Sequence, residues 1–193
     1  MNFITFDIET YSPSRLEKID TNEFRVSVCG AYLSWTGEYL AFLEDDIKDF
    51  LELLRQADVV VGYNHLWFDL PVLQKYADWD LIKGTNNYDI MVELEKKIGY
   101  KLKLNDVCKA NLSDDIKTDS YETYKHYYWD KNWYPLIDYC MNDVRLTNDI
   151  FLQILNTKKL KYQNLHQTME VELDSPQIGE KVEIQTVKMD SIF

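Results

Sequence analysis

Glycine and proline are scarce in this chain, and cysteine and histidine scarcer still: 6, 4, 3 and 3 of 193 residues. So few backbone-loosening residues, beside 46% hydrophobic ones, exclude a low-complexity or disordered body and leave enough apolar side chain for one sizeable core. The cysteines, Cys29, Cys108 and Cys140, are odd in number and lack metal-like spacing. Neither a disulfide framework nor a zinc site is expected; free buried thiols in a reducing compartment are. No apolar run approaches a membrane span, and no basic region followed by an apolar stretch opens the sequence, so a cytoplasmic location is expected. Positive charge is also short, with 21 Lys and Arg against 33 Asp and Glu, a net charge of −12. Proteins that grip long stretches of nucleic acid by their phosphates tend to be basic. Tight, processive binding by this chain alone is therefore not expected.

What is present begins with Phe3 to Ile8, an apolar run that reads as a buried strand and carries Asp7 and Glu9 two residues apart. Side chains at i and i+2 of a strand share a face, so these carboxylates converge near the strand's end. Two carboxylates so placed repel unless a cation or a shared proton lies between them. A second motif follows the β-branched run Val59-Val60-Val61, which breaks at Gly62 and leads through Asn64, His65, Trp67 and Phe68 to Asp69. Asn64 suits a turn. A helical pattern is expected from about Leu66 to Tyr76, with Asp69 early in it and Pro71 in the first turn. The third motif lies in a long helical pattern from about Trp133 to Leu155, where Tyr139 and Asp143, four apart, share a helix face.

Taken together, these segments resemble the three motifs of the DEDD superfamily of 3′–5′ exonucleases. Asp7 and Glu9 match D-x-E, Asn64 with Phe68-Asp69 matches N-x-x-x-F-D, and Tyr139 with Asp143 matches the Y-x-x-x-D form of the tyrosine (DEDDy) subgroup. The wording of the first two is most similar to the proofreading domain of family-B DNA polymerases and its small stand-alone or helicase-fused bacterial relatives. The resemblance covers about residues 1–155, and no polymerase-like sequence follows, so proofreading in cis is not expected. It implies an α/β fold with a ribonuclease-H-like mixed β-sheet flanked by α-helices. It also implies two divalent cations, Mg2+ or Mn2+, held by Asp7, Glu9, Asp69 and Asp143. About four carboxylate charges would then face roughly four cationic ones, all through the oxygen ligands that hard cations prefer. In that scheme Asp7 bridges both cations, Glu9 and Asp143 lie on the nucleophile side, and Asp69 serves the leaving-group side. Tyr139 would orient the attacking water, since a phenol with a pKa near 10 stays protonated at neutral pH.

The candidate substrate-contacting residues are Asn64, Trp67, Phe68 and Thr10, with a single-stranded 3′ end as the partner. Asn64 serves equally well as a turn residue, Phe68 suits the core, and Trp67 is open to stacking on a base. His65 reads as a turn residue rather than a ligand. The expected activity is metal-dependent 3′–5′ hydrolysis of single-stranded ends, DNA before RNA, releasing 5′-mononucleotides. An exoribonuclease on the same scaffold and a non-catalytic replisome module are the alternatives.

Elsewhere, strands are expected over Phe24 to Trp35, Glu38 to Leu43 and Val59 to Gly62, with helices capped by Asp45-Asp46, over Val92 to Ile98 and over Leu104 to Leu112. Asp89 supports the site from behind or opens a helix. Residues 113–133 interleave tyrosines and tryptophans with Lys117, Lys125, His126 and Lys131, a texture that suits either base stacking or a partly buried helix. A domain of residues 1–156 and an extension of 157–193 are expected. In the extension Met169, Val171 and Leu173, then Val182, Ile184 and Thr186, alternate with polar residues as a hairpin around Asp174–Gly179 or as a tail. Met189–Phe193 loosely resembles the peptide by which bacterial proteins bind the sliding clamp, which would make a replication or repair protein a partner.

Overall fold

β1 (Phe3–Tyr11) is the middle strand of a five-stranded sheet, and every other strand is added outward from it. The structure, a computed structural model, describes residues 1–11, 23–112, 131–165 and 167–177. On one side β2 (Arg25–Leu33) pairs antiparallel with β1, and β3 (Glu38–Leu43) antiparallel with β2. Gly37, at a φ of +73° open to glycine at no steric cost, turns the chain between them. On the other side β4 (Val59–Gly62) and β5 (Asn87–Asp89) add in parallel, giving the order β3-β2-β1-β4-β5. This is the ribonuclease-H-like mixed sheet that the motifs imply.

The period-2 pattern of β1 decides what covers each face. Ile4, Phe6 and Ile8 pack with Ile47, Phe50 and Leu54 of α1 (Ile47–Leu54) and with Leu70 and Leu73 of α2 (Asp69–Leu73). Phe3, with Val59 and Val61, meets Ile150, Phe151 and Ile154 of the long C-terminal helix on the opposite face. The remaining α-helices among the described residues are α3 (Leu81–Gly84), α4 (Ile90–Ile98), α5 (Leu104–Asn111) and that long helix, α6 (Trp133–Thr157). None in the described residues is long and apolar enough to cross a membrane.

Three local expectations are corrected. Asp45 and Asp46 lie in a 3-10 turn (Glu44–Asp46), and the Asp46 side chain makes no capping bond to α1. The helix after β4 starts at Asp69 rather than Leu66. Asn64 takes φ +64°, its carbonyl accepts from Trp67 N and Phe68 N, and His65 O accepts from Leu70 N, so residues 64–68 are used up in turns. The alternation at Met169–Leu173 does form a strand, β7 (Gln167–Glu172), but its partner precedes it: β6 (Lys159–Asn164). Leu160, Val171 and Leu173 are buried in the same cluster as Phe151, which binds the hairpin to the body of the fold. Asn111 supports it like an extra rung, donating to Lys161 O at 2.7 Å and accepting from Lys161 N at 2.8 Å. Residues 182–186 lie outside the described residues.

Candidate metal centre

Asp7 and Glu9 project from the face of β1 that α6 crosses, and the helix brings Asp143 to them. Ligand atoms of Asp7, Glu9 and Asp143 all lie within 4.8 Å of one another. Two features let the helix come so close. Gly30 stands opposite Asp7 in the β1–β2 pair, and a Cβ there would lie 2.9 Å from Met141 Sδ and 3.1 Å from Cys140 Sγ. A glycine in a strand interior often marks such a close approach. The second is a pair of ties: Thr5 Oγ1 donates to Asn148 Oδ1 at 3.1 Å, and the Cys140 thiol to Asp7 O at 3.4 Å. Just beyond Glu9 the pairing slips, Glu9 facing Val28 and Thr10 facing Val26, so that β2 bulges. Bulges sharpen strand twist and re-aim side chains, and this one sits at the end of β1 that carries the carboxylates.

Asp69 arrives from the other side of β1. β4 pairs with β1 only through Phe3, Ile4 and Thr5, which leaves the Ile8 N–H without a strand partner on that edge. Asp69 Oδ1 accepts that N–H at 3.1 Å. Its carboxylate is 4% exposed as a residue and falls outside the 4.8 Å group of the other three. Its charge is nevertheless the strongest ionic influence on Asp7, after burial.

Burial raises every one of these acids, and the neighbouring charges add to it at Asp7 and Glu9. Asp7 is pushed well above the ordinary carboxylate range by burial and then by Asp69, Glu9 and Asp143. Glu9 rises to about 8 through burial, Asp143 and Asp69. Asp69 rises to about 7 by burial, although the Ile8 N–H opposes the shift. Asp143 rises to about 6 by burial, restrained by a hydrogen bond from Tyr139. Half-buried oxygen donors that repel one another across so short a span are the donor chemistry a hard divalent cation fits. Asp7, Glu9 and Asp143 could hold such an ion.

Tyr139 lies one helical turn before Asp143 and donates its O–H to that carboxylate. Burial, then Asp143, Glu9 and Asp7, hold the phenol above its ordinary pKa. The hydroxyl proton expected to face a water is thus directed at Asp143.

Among the residues singled out for substrate, Asn64 does the work of a turn. Phe68 is half-buried, its ring 5.9 Å from that of Phe24. Trp67 is 45% exposed, and Thr10 is partly exposed at the bulge. His65, read as a turn residue, is fully buried against Gly62. The aromatic stretch at 113–130 and the clamp-like segment at 189–193 lie outside the described residues.

No protein-family model matches this chain, and no curated protein matches it. Its fold is similar to that of a solved structure, the family B DNA polymerase from the hyperthermophilic archaeon Pyrobaculum calidifontis. The TM-score is 0.63 with 22% identity, over 80% of this chain and 24% of the polymerase chain. The likeness is one of fold, to less than a quarter of a much longer protein.

Gly30, a glycine interior to an expected strand, is the signal in the sequence of this close approach. Cys140 carried no signal, since a helix position gives no hint that its thiol will meet the backbone of residue 7.

Proposed function

We propose that this chain is a metal-dependent 3′–5′ exonuclease acting on single-stranded ends, DNA in preference to RNA. The observation that carries the reading is the convergence of Asp7, Glu9 and Asp143 within 4.8 Å, with Tyr139 bonded to Asp143. The polymerase-like fold supports it. Bound divalent cations, Mg2+ or Mn2+, would supply Lewis acidity for water activation and charge stabilisation at the leaving oxygen. Asp7, Glu9 and Asp143 would hold one ion, and Asp69, nearest in charge to Asp7, would contribute to a second. Tyr139, kept protonated by burial and by its acidic neighbours, donates its O–H to Asp143 and would orient a water through its oxygen as acceptor rather than abstract a proton. Trp67 offers an exposed ring on which a terminal base can stack. The net charge of −12 favours a short footprint of few nucleotides, with a protein partner bringing longer substrates.

The test is to incubate 5′-end-labelled DNA and RNA, single- and double-stranded, with the protein and Mg2+ or Mn2+. A ladder descending from the 3′ end of single-stranded DNA, abolished by chelator, is expected. Equal cleavage of a circular single strand would mean endonuclease chemistry, and no cleavage of any substrate would refute the reading.

A further inference from the structure

Asp89 ends β5, and its side chain serves two elements at once. Oδ1 accepts from Met91 N at 3.1 Å and Val92 N at 3.3 Å, the N-cap pattern of α4. The same oxygen accepts from Asn64 N at 2.8 Å, and Oδ2 accepts from Leu66 N at 3.0 Å. Both of these belong to the β4–α2 turn, 25 and 23 residues away in sequence. That turn needs holding, because Asn64 sits at φ +64°, which a non-glycine residue adopts at a cost. His65 seals it from beneath. Asn87 Nδ2 donates to Ile82 O and Thr85 Oγ1, so Asn87 Oδ1, facing His65 Nε2 at 3.2 Å, must accept. The imidazole sits edge-on to Phe6, with ring centroids 5.6 Å apart, and its Nδ1 lies 3.5 Å from Asp89 Oδ2. His65 O in turn accepts from Leu70 N, one residue past Asp69.

We propose that Asp89 is a positioning residue for Asp69. Its carboxylate fixes the 64–66 turn against β5, the turn fixes the start of α2, and the start of α2 delivers Asp69 to the Ile8 N–H. Asp89 itself touches none of Asp7, Glu9 or Asp143 through any hydrogen bond among the described residues. Its effect on turnover rests on the exonuclease reading; its effect on the position of Asp69 does not.

Asp89→Asn separates the two duties. One amide oxygen remains, and three N–H groups converge on the Oδ1 side, so the oxygen stays there and keeps the α4 cap. The NH2 group then faces Leu66 N, donor against donor. Amide hydrogen exchange, followed by NMR without metal, reads the result. Leu66 and Ile8 should exchange about tenfold faster or more, the loss of a hydrogen bond to a charged group. Met91 and Val92 should keep their protection. Faster exchange at Leu66 with Ile8 unchanged would overturn the proposal, as would uniform loosening of all four amides. Should the variant not fold, wild-type exchange decides. Ile8 and Leu66 are expected to share one protection factor, and clearly different values would refute the coupling. With Mg2+ and end-labelled DNA, kcat of the variant should fall about ten- to a hundredfold with little change in KM. A wild type without nuclease activity would remove the exonuclease reading and leave the exchange result standing.

Discussion

Gly30 lies directly across the β1–β2 ladder from Asp7, and the space a Cβ would need at Gly30 is already filled by Met141, Val144 and Cys140 of α6. Asp143 follows on the same helix. The missing side chain on one strand is thus what lets a carboxylate on a helix more than a hundred residues later approach the carboxylates of the next strand.

Gly30→Ala should therefore damage the site from behind. The added methyl would lie 2.9–3.1 Å from three α6 side chains, tighter than packed atoms allow. Overpacking of this kind costs about 1–3 kcal/mol. A lowered melting temperature is expected, with turnover lost in greater proportion than stability, because α6 must shift relative to Asp7. Thermal melts and single-turnover cleavage of a labelled oligonucleotide check this; wild-type turnover would show that the helix has room to spare.

The raised carboxylates make a signed prediction for the metal-free protein. Glu9 titrates near 8 when folded against an ordinary 4.5, and Asp143 near 6 against 3.8. Between those values the folded state binds more protons than the unfolded chain, so stability falls as pH rises. This contribution is fully present below about 4 and is lost by about 8. Melts in chelator should show that decline, and saturating Mg2+ should flatten or reverse it, since cations bind the ionised form. A melting temperature that rises from pH 5 to 8 in chelator would contradict the crowded-carboxylate account.

Asp143→Asn removes one of the repelling charges. Metal-free stability should hold or rise slightly, while turnover falls by about a hundred- to a thousandfold, the scale of losing a group that stabilises charge in a transition state. The comparison is between melting temperature in chelator and cleavage rate with Mn2+, and a variant that cleaves normally would remove Asp143 from the site.

Tyr139→Phe keeps the ring and deletes the hydroxyl. Folding should change little, and the rate should fall about ten- to a thousandfold, within the range for an orienting contact. The hydrogen bond from Tyr139 lowers the pKa of Asp143, so its loss should move the limb that Asp143 contributes to the metal-free stability–pH curve upward from about 6. An unchanged limb with unchanged rate would leave Tyr139 a packing residue.

Two truncations separate the parts of the C-terminal extension. Ending the chain after Asn156 removes Leu160, Val171 and Leu173 from the core, each worth about 1.5–3 kcal/mol of burial. Marked destabilisation or insolubility is expected. Ending it after Gln177 leaves the hairpin whole, and the cleavage rate on short oligonucleotides should match that of the full chain. Equal stability of the two truncated proteins would show that the hairpin contributes nothing.

Local chemistry wrote much of this protein into its sequence. Strand period puts Asp7 and Glu9 on one face whatever surrounds them, helix period does the same for Tyr139 and Asp143, and Asn64 supplies a turn where the chain leaves β4. These regularities span only a few residues, so a window of sequence contains them. Where the tertiary structure decided, the partners are far apart in the chain. Asp69 found the Ile8 N–H only because β4 stops pairing with β1 at Thr5. The turn at Asn64 was legible, but not that Asp89 would hold it, and the strand through Gly30 was legible, but not that α6 would lie on that glycine. Periodicity says which way a side chain points; what it meets there is set by packing between distant segments, which no local pattern records.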